Sequence, residues 1–277
     1  MESVLKDLIV DYLTENNLIL KSQHGFRKRR SCLTNLLEYL EKLSELVDNG
    51  HSVDVIYLDF SKAFDKVPHE RLAVQLKAQG ISGNILNWIK SWVRGRKQRV
   101  VLNSCFSSWI QVFSGVPQGS VLGPLLFIIF NNLFDCEVDF LEILSKYAED
   151  TKAGGIVDEP EQIENLQTAL NHIKESSDKW QMVFNKNKCH VMHFGRKNIK
   201  HFYTMGGHAP VVQVLDKSTW EEDLGIIVSD DLKPSKQCLA ASKKANQILG
   251  RMATSFLYRS KEVLLRLYRI YVQPILE

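Results

Sequence analysis

Tyr57-Leu58-Asp59-Phe60-Ser61-Lys62-Ala63-Phe64-Asp65 is the stretch that decides the fold. Its approach is a strand: Val53, Val55 and Tyr57 alternate with Asp54, Ile56 and Leu58, in a segment rich in β-branched and aromatic residues. Gly50 closes the helix before it, and Pro68 suits the first turn of a helix after it. Asp59 is therefore expected at the C-terminal end of a central strand. Ionised carboxylates rarely enter a core unless paired, hydrogen-bonded or bound to metal. Two readings stay open on these residues alone. Either Asp59 caps a turn with Ser61 or pairs with Lys62, or it is half of a metal site whose second carboxylate comes from elsewhere.

That second carboxylate has a candidate source. Leu141 to Ala148 is nearly all apolar and turns at Glu149-Asp150 into a strand from Thr151 to Val157. Acidic residues at a hairpin tip are usually solvent-facing turn formers. Here the strand before the turn delivers the tip from the core.

Chain-wide properties narrow the class. With 277 residues, 44% hydrophobic and 24% charged, the chain can hold one large domain or two small ones. Net charge is only +3, yet the cations cluster. Lys21, Arg27, Lys28, Arg29 and Arg30 form one group, and Arg94, Arg96, Lys97 and Arg99 a second. Lys243, Lys244, Arg251, Arg259, Lys261, Arg266 and Arg269 populate the C-terminal helices. Local basic patches on a near-neutral chain suit a polyanion groove; solvated helix faces are the alternative for each. The cysteines, Cys32, Cys105, Cys136, Cys189 and Cys238, are scattered without a CxxC pair. No zinc site, disulfide framework or disulfide-linked partner is expected, and a reducing compartment is. The charged N-terminus does not read as a signal peptide. Val121 to Phe130 is about half the length of a membrane span. The expectation is an intracellular protein without membrane association, nucleus and cytoplasm both open.

In chain order, residues 2–16 read as an amphipathic helix with Val4, Leu5, Leu8, Ile9, Tyr12 and Leu13 on its stripe. A basic loop, Gln23 to Arg30, has Phe26 inside it. Ser31 caps a helix carrying Leu33, Leu36, Leu37, Leu40, Leu43 and Leu46. Helices follow over about 68–78 and 84–93, then a hairpin of 98–102 with 108–113. Ser114-Gly115-Val116-Pro117-Gln118-Gly119-Ser120 permits close backbone approach before a helix over about 121–131; a turn of this kind is also common at helix starts. Pro160 to Trp180 is a long helix, 182–194 a strand region, 223–228 a short strand. Helices over 234–256 and 260–271 end the chain.

Taken together, the pieces resemble the reverse transcriptase domain of non-LTR (LINE-type, chicken-repeat-like) retrotransposons. The similarity lies in Ser22-Gln23-His24-Gly25-Phe26, Ser31-Cys32-Leu33-Thr34-Asn35-Leu36, Tyr57 to Asp65, Gly115 to Pro124, and Tyr147-Ala148-Glu149-Asp150-Thr151-Lys152. It continues through Phe184-Asn185-Lys186-Asn187-Lys188-Cys189, Asp223-Leu224-Gly225 and Lys243-Lys244-Ala245-Asn246. The resemblance implies an α+β right-hand polymerase, its antiparallel-sheet palm backed by helices. It implies partial fingers over 1–52, a palm over 53–205 with a fingers insertion at about 75–114, and a connecting segment with partial thumb helices over 206–277. Asp59, Glu149 and Asp150 are the implied catalytic residues and ligands for two Mg2+ ions, with Mn2+ as a substitute. Phe60, Phe64, Gln118, Gly119 and Lys188 are implied to bind nucleotide. Phe60 contributes its carbonyl, Phe64 excludes a ribose 2′-hydroxyl, and Lys188 neutralises triphosphate. Arg27, Lys28, Arg29, Arg30, Lys243 and Lys244 would meet nucleic-acid backbone. An RNA template, a DNA primer and deoxynucleoside triphosphates are the implied partners.

The sequence departs from the family pattern in places. Where the family hairpin reads aromatic-Ala-Asp-Asp, this chain has Glu149, which adds a methylene. Ala153 stands for a usual leucine and Leu133 for an aspartate. Against the family pattern, the expectation is a chain that starts after the Arg-Pro-Ile-Ser motif, stops at Glu277 where members continue, and carries no endonuclease module. The expectation is a truncated family member, its RNA-directed polymerase activity impaired. A catalytically dead nucleic-acid-binding remnant is the alternative. A protein-interaction module with the basic clusters as solvated surface is a third reading.

Overall fold

The computed structural model describes residues 1–132, 141–206, 213–256, 258 and 260–277. They form two units, Met1–Lys217 and Ser218–Glu277. In the first, α1 (Glu2–Glu15) and α2 (Cys32–Asp48) precede β1 (Val53–Leu58). Then come α3 (Ala63–Lys66), α4 (His69–Ala78), α5 (Gly83–Val93), and the short strands β2 (Lys97–Gln98), β3 (Val101–Leu102), β4 (Cys105–Phe106) and β5 (Ile110–Gln111). α6 (Gly123–Asn131), β6 (Ile143–Tyr147), β7 (Asp150–Ile156), α7 (Pro160–Trp180) and β8 (His190–Phe194) complete the part around the site. Small strands β9 (Thr204–Met205), β10 (Gln213–Val214) and β11 (Asp216–Ser218) follow.

All six residues of β1 are buried, as a strand between two neighbours requires. The sheet order is β11-β8-β1-β7-β6, and β1 runs antiparallel to both β7 and β8. Two helical layers cover it. Ile56 and Leu58 face a core built with Leu125, Phe127, Ile129 and Phe130 of α6 and Leu166, Ala169, Leu170 and Ile173 of α7. On the other face the Tyr57 hydroxyl meets that of Tyr39 in α2, 2.8 Å away. Each apolar side chain buried this way contributes about 1.5–3 kcal/mol. Here lies the α+β architecture with its antiparallel sheet.

Several local readings need correction. On α1 only Leu5, Ile9 and Leu13 are buried, while Val4 and Leu8 are exposed. On α2 the buried face runs through Asn35, Leu36, Tyr39, Leu43 and Leu46, leaving Leu33 and Leu37 outside. Both stripes are narrower than the apolar pattern because only one side of each helix meets the core. The 98–113 hairpin pairs in two short ladders, β2 with β5 and β3 with β4. α6 begins at Gly123, where the Ser120 hydroxyl accepts the Gly123 N–H at 3.0 Å.

In the second unit, β12 (Trp220–Asp223) and β13 (Ile226–Ser229) pair as a hairpin, and α8 (Ser235–Ser255), α9 (Lys261–Tyr271) and α10 (Gln273–Leu276) follow. The strand expected over 223–228 is thus broken by a turn. Leu224 and Gly225 both take positive φ, 48° and 89°, which reverses the chain. Ala245, Met252 and Val272 form this unit's small core. Among the described residues no helix is long and apolar enough to cross a membrane. Leu133, Cys136 and Arg259 lie outside the described residues.

Candidate active site

The register of β1 assembles the site. Its pairing with β7 runs from Val53↔Ile156 to Leu58↔Thr151, so one further step sets Asp59 opposite Asp150. Its pairing with β8 runs from Val53↔Phe194 to Tyr57↔His190, and extending it by two steps sets Asp59 opposite Lys188. The Lys188 ammonium indeed donates to Asp59 Oδ2 at 2.6 Å. Asp59 thus takes Lys188, and not Lys62, as its ion-pair partner. Lys62 instead has φ 54° at the start of α3. The backbone beyond β1 is also held: Asn185 N–H donates to the Asp59 carbonyl at 2.8 Å, and Phe60 stacks on Phe184 with centroids 4.3 Å apart.

The charges feel one another. Burial pushes the Glu149 carboxyl above the usual carboxylate range; the Asp59 charge pushes the same way, and Lys188 opposes it. The hydrogen bond to Asp59, then the charges of Asp59, Asp150 and Glu149, hold the exposed Lys188 ammonium above its ordinary value. Cys189 beside it is buried, and its thiol is pushed up to about 11, out of reach as a thiolate ligand near neutrality. Asp59, Glu149, Asp150 and Lys188 are therefore one electrostatic unit, three hard oxygen donors against one cation. Among the described residues no group of three or more His, Cys, Asp or Glu side chains closes around a point as a metal cage would. A magnesium site completed by substrate phosphates and water needs only one or two protein carboxylates. The donor set fits such an ion.

Replacing Lys188 by methionine is expected to strengthen Mn2+ binding several-fold, because the ammonium that competes for Asp59 Oδ2 is gone. Electron paramagnetic titration of Mn2+ measures the effect.

A polar scaffold that the sequence reading missed holds the hairpin carrying Glu149 and Asp150. Gln23 Oε1 accepts the Ala148 N–H at 2.9 Å, and Gln23 Nε2 donates to the Ala148 carbonyl at 3.3 Å. Asn131 Nδ2 reaches that carbonyl at 2.5 Å. Asn35 donates to the Lys146 carbonyl at 3.0 Å and accepts from the buried Lys152 ammonium at 2.8 Å. Lys152 also lies 4.7 Å from the Tyr39 ring centroid. One signal was available: Asn35 and Asn131 interrupt apolar faces. Their partners lie more than 100 positions away in one case and on another element in both, beyond periodicity.

Phe64, Gln118 and Gly119, expected from the sequence to bind nucleotide, lie on α3 and the loop strapped across it. Phe64 is half-buried, stacked on Phe127 at 4.4 Å, with Phe26 edge-on at 6.1 Å. The loop is tied by Val116 N–H to the Phe64 carbonyl and Gly115 N–H to the Val67 carbonyl, both at 2.8 Å. Gln118 is exposed and donates to Asp65 at 3.3 Å. Gln118 borders a cleft of about 280 Å³ together with Asp65, Arg96, Gln98 and Pro117. Gly119, at φ 79°, has open space where a Cβ would point. A separate cavity of about 690 Å³, lined by Lys66, His69, Arg71, Arg94 and Phe113 among others, includes none of the three carboxylates. Gly115 has φ 87°, and a Cβ there would sit 2.6–2.8 Å from the Asp65 backbone. Gly115→Ala is expected to cost on the order of 2–3 kcal/mol, read from the denaturant midpoint.

The basic groups divide. Arg27 is half-buried and donates to the Leu20 and Gln23 carbonyls, at 2.8 and 3.1 Å. Arg30 donates to Glu38 at 2.7 Å. Lys28, Arg29, Lys243 and Lys244 are exposed. Between Glu70 and Asp135 the sequence has no acidic residue, yet carries Arg71, Lys77, Lys90, Arg94, Arg96, Lys97 and Arg99. Arg99 lies over Phe106 and Trp109, 4.2 and 4.6 Å from their centroids, on the exposed hairpin.

Comparison with known proteins gives the family and the fold. Residues 2–249 match the family model described as reverse transcriptase (RNA-dependent DNA polymerase). The RNA-directed DNA polymerase from mobile element jockey of Drosophila funebris is 31% identical over 68% of this chain and 21% of its own length. The probable RNA-directed DNA polymerase from transposon X-element of Drosophila melanogaster is 30% identical over 47% of this chain and 14% of its own. The chain thus spans about a fifth or less of these curated relatives. Among solved structures, telomerase from Candida tropicalis with a fragment of telomeric RNA aligns with a TM-score of 0.57 at 14% identity, over 99% of this chain and 44% of that one. The truncated apo telomerase of the same species gives 0.55 at 14% identity, over 83% and 44%. That likeness shows the right-hand polymerase fold. Reverse transcriptases work with divalent metal ions and an RNA template, and by sequence and by fold this chain belongs to their family, as a reverse transcriptase domain of the non-LTR retrotransposon kind.

Proposed function

We propose that this chain carries out template-directed nucleotidyl transfer, extending a DNA primer on RNA from deoxynucleoside triphosphates. The observation that carries the reading is the register of β1, which sets Asp59 between Asp150 and Lys188 with Glu149 alongside. Asp59, Asp150 and Glu149 would hold two Mg2+ ions, or Mn2+ in their place. When bound, such ions activate the primer 3′-hydroxyl and stabilise the leaving pyrophosphate.

The chain's own residues do the rest. Lys188 exchanges its carboxylate partner for the triphosphate of the incoming nucleotide. Phe64, fixed by its stack on Phe127, closes the space beneath the sugar 2′ position. Gln118 and Gly119 border the templating base and nucleotide, and the Phe60 carbonyl completes the oxygen donors. Lys28 and Arg29, in a loop shaped by Arg27 and Arg30, and Lys243 and Lys244 on α8 meet phosphates, so RNA affinity falls steeply with salt. In this reading residues 1–52 are fingers, 53–205 palm with its insertion at about 75–114, and 206–277 thumb, in an intracellular protein.

Primer extension on an RNA template, with Mg2+ and separately with Mn2+, tests the proposal. Extension that needs both template and divalent ion supports it. A folded chain that binds RNA but extends nothing, even with aspartate at 149, favours the second reading, a nucleic-acid-binding remnant; Glu149 is the observation on its side.

A further inference from the structure

We infer that Gln23 is a positioning residue for the acidic pair: its buried carboxamide grips the backbone of Ala148 and so sets where Glu149 and Asp150 project. Its consequence for catalysis rests on the polymerase reading; its geometry does not. Tyr147 and Asp150 pair across the β6–β7 hairpin, leaving Ala148 and Glu149 as a two-residue connection. Ala148 takes φ 54° there, a conformation for which such turns favour glycine. An alanine stays in it only if its surroundings hold it.

Gln23 supplies the hold. A carboxamide has an acceptor and a donor in one plane, so it can take both the N–H and the C=O of one residue. Its Oε1 accepts from Ala148 N at 2.9 Å and from Gly25 N at 2.7 Å, while Nε2 donates to Ala148 O. The side chain is 1% exposed, so water cannot replace these bonds. The loop around it is docked on the sheet's edge strand: His24 N–H donates to the Lys146 carbonyl and Lys146 N–H to the Ser22 carbonyl, both at 2.9 Å. Gly25 permits the approach, because a Cβ there would stand 2.4 Å from Ala148 N. A loop 125 positions away in sequence therefore fixes the tip that bears two of the three carboxylates.

The test uses the full chain with Gln23→Met, which keeps volume but removes the amide, Gln23→Glu, which keeps the acceptor, and Gln23→Met combined with Ala148→Gly. Amide hydrogen exchange is the first readout and needs no activity. Gln23→Met is expected to speed exchange at Gly25 and Ala148 about 10-fold or more while β1 and β8 keep their protection. Gln23→Glu is expected to retain most protection while its carboxyl is protonated, because the acid O–H then donates to the Ala148 carbonyl as Nε2 does; it serves as the milder comparison if the methionine variant does not accumulate. The second readout is extension in a Glu149→Asp background. There Gln23→Met is expected to lower kcat about 100-fold, with the KM for nucleotide and RNA affinity within about two-fold. Adding Ala148→Gly should recover about 10-fold of that loss, because glycine adopts the positive φ unaided. Uniform acceleration of exchange across β1, β7 and β8, or an unmoved kcat with a loosened hairpin, would overturn the inference. If the Glu149→Asp chain itself extends nothing, the polymerase reading fails, and the exchange pattern alone decides what Gln23 does.

Discussion

Glu149→Asp is expected to raise the rate of primer extension by about 100-fold with Mg2+, and by less with Mn2+. The extra methylene of glutamate advances its carboxylate by about 1 Å, and reacting groups aligned to that tolerance lose about two orders of magnitude when displaced by it. A mobile hairpin would absorb the methylene by retreating. This one is held: both backbone groups of Ala148 are engaged by Gln23, and Asn131 shares its carbonyl. The adjustment is left to the Glu149 side chain, half-buried and facing the Asp59 charge. Magnesium demands near-ideal octahedral geometry and suffers most. Single-turnover extension with each metal measures the effect. Equal rates for the two chains would mean that the residue at 149 lies outside the reacting geometry.

Asp59→Ala is expected to abolish extension, by about 1,000-fold or more, while leaving the fold intact. Asp59 lies one step beyond the β1–β7 ladder and two beyond the β1–β8 ladder, where it meets Lys188, and alanine offers no oxygen donor at that point. Its side chain is 20% exposed and its ion-pair partner Lys188 is 63% exposed, so the change orphans no deeply buried charge. Stability should move by about 1 kcal/mol or less, as for other solvent-screened pairs. The Glu149 carboxyl should titrate lower in this variant, because the Asp59 charge that raises it is gone. Extension, thermal melting and RNA binding measured together separate chemistry from folding. Extension that survives Asp59→Ala would overturn the proposed site.

Much of the site was legible because its motifs are local. Asp59 ends a β-branched strand, Glu149 and Asp150 tip a hairpin whose first strand is apolar, and Ser114 to Ser120 is spaced by glycines. Long helices were equally clear: α7 runs from Pro160 to Trp180 with Ile163, Leu166, Leu170 and Ile173 on its buried face, because a period of 3.6 survives without knowledge of the partner. The break at Leu224-Gly225 was harder to see, since the apolar run over Ile226, Ile227 and Val228 masks a reversal that depends on two positive φ values.

The sequence by itself determined the parts: an α+β chain, a family, three carboxylates, a lysine and their order. Only the tertiary structure decided how they meet. Strand register is set by pairing between segments far apart, so that Asp59 faces Lys188, 129 positions away, and not its near neighbour Lys62. The same holds for Gln23, which reads as one polar residue in a basic loop. Its single carboxamide acquires meaning only when a backbone 125 residues on is brought within hydrogen-bond reach.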